Sequence, residues 1–273
     1  MARKTEIKTL QFAHGTYHGE TIDDLAHGQG KFNYIFGDSY EGEFQNSFKD
    51  GFGILTANNG ERYEGMWKDD LKNGNGNYYW PCGNRYEGEW QNDLRCGFGT
   101  FFYACGDKYV GTWKNGRRQG IAKVFYINGE RYEGSFANNY RCGKGEYSFR
   151  NGEHYIGEWD HDFRNGEGVF RFINGDVYTG SFVYNRLSGK GTMDYANGNK
   201  YIGEWKNDKP NGDGKMYYAN GERYEGGWLD GKRDGFGRYY FLDGSRSFSN
   251  WANDICLNQG YLYDNNNNQT PLG

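Results

Sequence analysis

The sequence predicts an all-β protein: an elongated, single-layer, twisted antiparallel meander of about ten to eleven β-hairpin repeats, each 23 residues long. Three observations indicate this fold. A tyrosine recurs at a fixed period of 23 residues, the residues around it alternate in polarity, and a glycine-containing turn closes each period. The ten tyrosines in register are Tyr17, Tyr40, Tyr63, Tyr86, Tyr109, Tyr132, Tyr155, Tyr178, Tyr201 and Tyr224.

The first strand of each repeat carries the motif Tyr-x-Gly-x-Trp/Phe. In the segment Arg85–Trp90 polar and non-polar residues alternate, so the tyrosine, glycine and tryptophan share one face while the arginine and two glutamates share the other. A glycine inside a strand often marks a place where another group packs over the backbone, and we expect that group to be an aromatic ring. We interpret the recurrent glutamates as a solvated polar face, not as paired catalytic carboxylates.

The second strand of each repeat follows a Gly-x-Gly element and is short and apolar, as in Thr100–Tyr103. An Asn-Gly pair before the next repeat, such as Asn128-Gly129, predicts a tight turn, because both residues tolerate positive φ. No segment has a clear helical period. Each repeat is therefore predicted to be one β-hairpin, and successive hairpins a meander.

Composition narrows the possible functions. The formal net charge of -4 and the pI of about 5.8 argue against a general nucleic-acid binder. No secretory signal and no apolar run long enough to span a bilayer is visible, so a cytoplasmic protein is expected. The five cysteines are odd in number and contain no Cys-x-x-Cys, which predicts reduced thiols. We predict no catalytic residue, no cofactor and no metal site, and the chain is expected not to be an enzyme.

A row of basic residues recurs in one register of the hairpin connections and is predicted to line one long edge of the sheet. This candidate basic edge could bind an acidic protein surface or an anionic lipid headgroup. It could equally serve solubility and protect the sheet from edge-to-edge pairing. Its residues are Lys49, Lys72, Arg95, Arg118, Arg141 and Arg164.

A second basic row lies beside the glutamates in the first strands and is interpreted as cross-strand charge pairing. Its residues are Arg62, Arg85, Lys108, Arg131, Lys200 and Arg223.

Several aromatic residues fall on the face predicted to be charged. An apolar stripe on a polar surface indicates a partner contact, and the alternative is that a locally twisted sheet covers these rings itself. The candidate partner-contact residues are Tyr79, Phe102, Phe125, Tyr217 and Tyr240.

These motifs are similar to the MORN repeat, whose hallmark is Tyr-x-Gly-x-Trp followed by Gly-x-Gly at this period. The resemblance covers about residues 15–260 and weakens at the ends, where Thr21 replaces an aromatic residue and Ser247 replaces the last tyrosine. It implies a non-enzymatic scaffold. The stretch Lys108–Gly116 resembles radial-spoke head members of the family, which implies a place in the ciliary or flagellar axoneme.

The predicted organisation has three parts: an N-terminal extension over 1–14, a repeat array over 15–260 and a disordered, Asn-rich tail over 261–273. The leading functional hypothesis is a structural scaffold for protein–protein assembly in the axoneme and cytoskeleton, with other proteins of that assembly as partners and self-association possible. The alternative is a membrane-tethering module that binds anionic phospholipids through the basic edge. Nucleic acid is not an expected partner.

Overall fold

The computed structural model describes residues 4–272, and the regular secondary structure in that range consists of β-strands alone. The predicted all-β meander of hairpin repeats is therefore confirmed. The described chain forms two compact units that divide after Asn139. Within residues 4–272, no helix is long and apolar enough to cross a membrane.

In the first unit each strand pairs antiparallel with the next one along the chain. The strands are β1 (Glu6–Phe12), β2 (Gly15–Ile22), β3 (Leu25–Tyr34), β4 (Ser39–Gln45), β5 (Phe48–Thr56), β6 (Arg62–Lys68), β7 (Leu71–Tyr79), β8 (Arg85–Gln91), β9 (Leu94–Phe102), β10 (Lys108–Lys114), β11 (Arg117–Phe125) and β12 (Arg131–Ala137).

The second unit repeats the same sequential antiparallel pairing. Its strands are β13 (Tyr140–Ser148), β14 (His154–Asp160), β15 (Phe163–Arg171), β16 (Val177–Val183), β17 (Arg186–Asp194), β18 (Lys200–Lys206), β19 (Lys209–Tyr217), β20 (Arg223–Leu229), β21 (Lys232–Tyr240), β22 (Arg246–Ala252), β23 (Ile255–Tyr263) and β24 (Gln269–Leu272).

Two different turns alternate along the chain. The tight turn inside a hairpin is a pair of polar residues such as Asn92 (φ 47°) and Asp93 (φ 65°), which adopt positive φ because short Asn and Asp side chains tolerate it. The Asn-Gly pairs lie in the connection between hairpins. There Gly129 (φ 93°) has positive φ and its amide donates to the Tyr126 carbonyl at 2.9 Å, which closes a β-turn. The prediction of a tight turn at Asn-Gly is therefore confirmed, although only the glycine of the pair, and not Asn128, adopts positive φ.

The two glycines of Gly-x-Gly are required for different reasons. Gly74 has a φ of 82° and lies where the pairing of β6 with β7 shifts register, a bulge that strains any residue with a side chain. Gly76 lies beneath the ring of Tyr63, and a Cβ added there would overlap the phenol. A Cβ added at the first-strand glycine Gly65 would overlap the hydroxyl of the same tyrosine, so the expectation that an aromatic ring covers this glycine is confirmed.

The tyrosine ring joins its own repeat to the next. Tyr63 is 1% exposed and packs edge-to-face on Trp67 at 5.1 Å between ring centroids and on Trp90 of the next repeat at 5.5 Å. Its hydroxyl donates to the Met66 carbonyl at 3.0 Å, and Trp90 Nε1 donates to the Gly76 carbonyl at 3.1 Å. We call this side of the sheet the ring face and the opposite side the polar face.

One repeat shows what the second glycine does. Ala122 stands where the other repeats carry that glycine, and it is 3% exposed. In this repeat the rings of Tyr109 and Trp113 meet at an interplanar angle of 73°. The equivalent rings of the preceding repeat, Tyr86 and Trp90, meet at 88°. The extra methyl group beneath the ring accounts for this tilt.

The chain ends differ from the sequence-based organisation. Residues 1–14 include β1, which pairs with β2 along its whole length, although residues 1–3 lie outside the described range. The predicted disordered tail over 261–273 instead completes β23 and forms β24. The Asp264 carboxylate organises the connection by accepting from the backbone amides of Asn266 and Asn268, both at 2.8 Å. Only Gly273 of this tail lies outside the described residues.

We expect Gly99→Ala to destabilise the first unit. The added Cβ would overlap the ring of Tyr86, so the free energy of unfolding should fall by about 1–3 kcal/mol, as for other overpacked cores. Urea denaturation followed by tryptophan fluorescence measures the change. Thr100→Ala, at the next residue on the polar face, is the matched control, and identical midpoints for the two variants would contradict this account of the glycine.

We expect the protein to unfold at alkaline pH. Burial raises the pKa of Tyr17 and of Tyr155 to about 12, above the value of about 10 for a solvated phenol. The unfolded chain releases its phenolic protons first, so the stability from these groups is complete below about pH 10 and falls as the pH rises towards about 12. Circular dichroism recorded together with phenolate absorbance tests this, and ionisation of all the tyrosines near about pH 10 with an unchanged circular dichroism spectrum would contradict it.

Candidate functional site

In each of the two units, the residues of the candidate basic edge lie on the ring face, where their cations cover aromatic rings of the next repeat. Arg95 Cζ lies 4.3 Å from the centroid of the Trp113 ring, and Arg141 Cζ lies 4.4 Å from that of Trp159. Lys49 Nζ lies 4.5 Å from the Trp67 centroid, and its side chain is 14% exposed. Burial lowers the pKa of both Lys49 and Arg95. These cations are therefore partly desolvated against the rings of the fold.

The same cations also bind the tight turn of the next hairpin. Lys72 Nζ lies 3.0 Å from the Asp93 carboxylate, and Arg141 Nε lies 3.0 Å from the Asp162 carboxylate. Arg95 donates from Nη2 to the Gly116 carbonyl at 3.0 Å. Arg118 and Arg164 lie over Phe136 and Phe170, at 5.0 and 4.8 Å. All six residues of the candidate basic edge thus have contacts inside the protein, and their role in binding a ligand stays a prediction.

The recurrent glutamates have a structural role that the sequence did not indicate. The Glu89 carboxylate accepts from the Phe98 amide at 2.8 Å, and that of Glu43 accepts from the Phe52 amide at 3.3 Å. Both amides lie at the bulge, where the regular ladder is interrupted. The repeated glutamate therefore satisfies a backbone donor next to the bulge glycine.

The polar face of the first unit carries a continuous row of alternating cations and aromatic rings. The row crosses the seven consecutive strands β6 to β12, and each member is the register partner of the next. We call it the first ladder. Its residues are Arg62, Tyr79, Arg85, Phe102, Lys108, Phe125 and Arg131.

Cation–π contacts connect the members of the first ladder. Arg85 Cζ lies 4.2 Å from the Phe102 centroid, and the centroid of Phe125 lies 4.8 Å from Lys108 Nζ and 5.7 Å from Arg131 Cζ. The three rings are half-buried and so keep part of their surface in solvent. This arrangement offers flat apolar surface and positive charge in alternation.

The cations of the first ladder are not equally paired. Arg62 reaches Glu64 at 2.8 Å and Arg85 reaches Glu87 at 3.2 Å, in each case two residues along the same strand. The predicted cross-strand pairing was therefore wrong for these two, because side chains two apart on a strand share a face. Among residues 4–272, Lys108 and Arg131 have no ion-pair partner.

A second ladder lies on the polar face of the second unit. Its residues are Lys200, Tyr217, Arg223, Tyr240, Arg246 and Tyr263. Here each cation has a partner: Lys200 pairs across strands with Asp194 at 2.9 Å, Arg223 pairs with Glu225 at 2.9 Å, and Arg246 donates to the Asn267 side chain at 2.6 Å.

The five candidate partner-contact aromatics thus divide between the two ladders, three in the first and two in the second. Their role as partner contacts stays a prediction. Sequence reasoning missed Arg246 and Tyr263, although Tyr263 follows Tyr240 by the repeat period of 23 residues and that signal could have found it.

Sequence reasoning also missed a row of exposed apolar side chains that begin the second strands of four consecutive hairpins. The residues are Leu25, Phe48, Leu71 and Leu94.

Within residues 4–272 there is no cluster of His, Cys, Asp or Glu side chains that could hold a metal ion. The five cysteines are free thiols, with Cys82 and Cys105 exposed.

Solved structures that match part of the chain include domains of the protein CPAP. The TCP10 domain of Danio rerio CPAP, in complex with a peptide of Danio rerio STIL, shares 12% identity over 81% of this chain and 93% of that chain, with a TM-score of 0.40. The same domain alone shares 12% over 72% and 93%, with a TM-score of 0.41. A CPAP G-box domain shares 14% over 72% and 97%, with a TM-score of 0.41. Likenesses this weak carry no functional argument.

Among curated proteins, none matches the chain. The family model described as MORN repeat does match, in ten consecutive segments: 17–35, 40–62, 63–85, 86–108, 109–131, 132–154, 155–177, 178–200, 201–223 and 224–246. These segments share the period of the buried tyrosines and together cover most of the sequence. The chain therefore belongs to the MORN-repeat family.

Proposed function

We propose that this chain is a non-enzymatic scaffold that binds other proteins, and that the first ladder is its main contact surface. The observation that carries the proposal is the cluster of Lys108, Phe125 and Arg131, in which two cations without an ion-pair partner flank a half-buried ring. Arginine and aromatic side chains are enriched in protein interfaces, where they supply much of the binding energy.

The strands that carry the first ladder suit it to binding. Its side chains project from a hydrogen-bonded sheet that buried tyrosine contacts stabilise on the ring face. A partner that binds side chains already held on strands loses less conformational entropy than one that must order a loop. The repeat also sets several contacts at regular intervals along one row.

As a finer proposal, we place the scaffold in the ciliary or flagellar axoneme, in an assembly like the radial-spoke head. The support is the resemblance of Lys108–Gly116 to radial-spoke head members of the family. A fluorescent fusion of the full chain in ciliated cells should label the axoneme. Exclusion from cilia would remove the axonemal part of the proposal and leave the scaffold part standing.

The geometry favours a protein partner over a phospholipid membrane. The candidate basic edge lies over aromatic rings and its cations contact the turns of neighbouring hairpins, so this edge presents little free positive charge to a membrane. Flotation with liposomes that contain phosphatidylserine, at physiological salt, should therefore recover little protein. Strong flotation that Arg95→Glu and Arg118→Glu abolish would instead support membrane tethering.

We expect the double variant Phe102→Ser and Phe125→Ser to lose its partners. Loss of two interface rings at about 1–2 kcal/mol each lowers affinity by about thirtyfold or more. Tagged full-length chains would be recovered from ciliated cells, with crosslinking mass spectrometry to identify proteins that contact the polar face. Proteins captured by the wild type should be depleted with this variant.

The matched control is the double variant Tyr217→Ser and Tyr240→Ser, which removes two rings from the second ladder. It should retain the same proteins, and both variants should keep the wild-type circular dichroism spectrum. Undiminished capture by the Phe102 and Phe125 double variant would show that the first ladder is not the main contact surface.

A further inference from the structure

We propose that the first ladder binds an acidic, proline-containing segment of a partner protein in the polyproline II conformation. This inference rests on the proposed function and specifies the chemistry of the occupant. It follows from the spacing of the ladder, from its narrow apolar width and from the two cations that lack ion-pair partners.

The spacing of the first ladder matches a polyproline II helix. Equivalent residues such as Phe102 and Phe125 lie two strands apart, which corresponds to about 9.6 Å. Three residues of polyproline II rise about 9.3 Å and complete one turn, so every third residue returns to the same side. A segment that crosses the strands can therefore place one residue on each successive ring, with a mismatch of about 0.6 Å between Tyr79 and Phe125.

Other regular conformations fit less well. A β-strand returns a side chain to the same side every two residues, about 6.7 Å, which does not match the ring spacing. An α-helix returns after seven residues, about 10.5 Å, and it needs a broad apolar surface. Across β6 to β9 the apolar part of the first ladder is one residue wide, because the adjoining row there consists of Glu64, Asn77, Glu87 and Thr100.

Charge indicates that the segment is acidic. The first ladder and its adjoining row hold five cations, which are Arg62, Arg85, Lys108, Lys123 and Arg131, against the three carboxylates of Glu64, Glu87 and Glu133. This local excess of two positive charges contrasts with the chain's net charge of -4.

The two cations without ion-pair partners set the spacing of the acidic residues. Lys108 and Arg131 lie on β10 and β12, again about 9.6 Å apart. Acidic residues three apart in polyproline II have nearly this separation. The expected recognition pattern is an acidic residue at every third position with proline between.

The chemistry of a polyproline II segment also suits the ladder. Proline rings present a flat apolar surface that can pack against Tyr79, Phe102 and Phe125, as in other aromatic-lined recognition grooves. The polyproline II backbone makes no hydrogen bonds to itself, so its carbonyls remain available to the cations between the rings. Its conformation is preformed, which lowers the entropy lost on binding.

The second ladder provides a comparison within the same molecule. It has the same alternation and the same strand spacing, but Lys200, Arg223 and Arg246 have acidic or amide partners in the protein. An acidic ligand would have to displace those partners. We therefore expect binding at the first ladder and not at the second.

The test is fluorescence polarisation with the full chain and a labelled peptide of four Glu-Pro-Pro units. A peptide of the same composition with all glutamates in one block controls for charge alone, and a Lys-Pro-Pro peptide controls for its sign. The regular acidic peptide should bind about tenfold more tightly than the block peptide, and the basic peptide should not bind. Affinity for the regular peptide should fall as salt rises.

Variants then assign the site. The double variant Lys108→Gln and Arg131→Gln should weaken binding of the regular peptide about tenfold, as should Phe102→Ser with Phe125→Ser. Tyr217→Ser with Tyr240→Ser should leave it unchanged, and circular dichroism should show all three double variants folded. Loss of binding only in the Tyr217 and Tyr240 double variant would overturn the assignment to the first ladder.

The remaining outcomes separate this inference from the proposed function. Equal binding of the regular and block peptides, or no binding of either, would overturn the proposal that the first ladder binds an acidic polyproline II segment. If the Phe102 and Phe125 double variant still loses cellular partners, the scaffold proposal survives that failure. If peptide binding and partner capture are both insensitive to this double variant, both proposals are wrong.

Discussion

The structure depends on the edge-to-face packing of one tyrosine ring per repeat. Each ring lies over a strand glycine and meets the indole or phenyl group of its own repeat and that of the next, as Tyr86 does with Trp90 at 5.3 Å and Trp113 at 5.4 Å. The tyrosine hydroxyl is satisfied by a carbonyl of its own strand. Because one ring serves two repeats, each hairpin is stabilised by its neighbours, as in other repeat proteins.

This packing explains why so many other positions are constrained. The glycine beneath the ring leaves no space for a Cβ, and the cations of the candidate basic edge cover the outer surface of the next ring. The ring face is therefore occupied by contacts that hold the repeats together. Fewer side chains on the polar face make such contacts, so residues there can differ between repeats without disturbing the tyrosine contacts. The two ladders, one with unpaired cations and one without, are an example of that freedom.

Much of the architecture could be predicted from periodicity. The alternation of polar and non-polar residues along each strand assigned Tyr86 and Trp90 to one face. The aromatic residues of the polar face were identified because they stand at positions where this alternation predicts a polar residue. Other expectations failed where a local contact competes with a compositional trend. The Asn-rich tail was expected to be disordered, but the Asp264 carboxylate organises a turn that allows β24 to pair. Arg62 was expected to pair across strands, but its register partners are Thr56 and Tyr79, and it pairs with Glu64 on its own strand.

The sequence by itself determined the repeat, the order of the strands and the two faces, because a strict period of 23 residues and strand alternation are properties of the chain alone. Only the tertiary structure decided which side chains are neighbours across strands. The register of β10, β11 and β12 brings Lys108, Phe125 and Arg131 side by side. It also decides which cations have carboxylate partners, since a register partner is set by hydrogen bonds between strands and not by distance along the sequence.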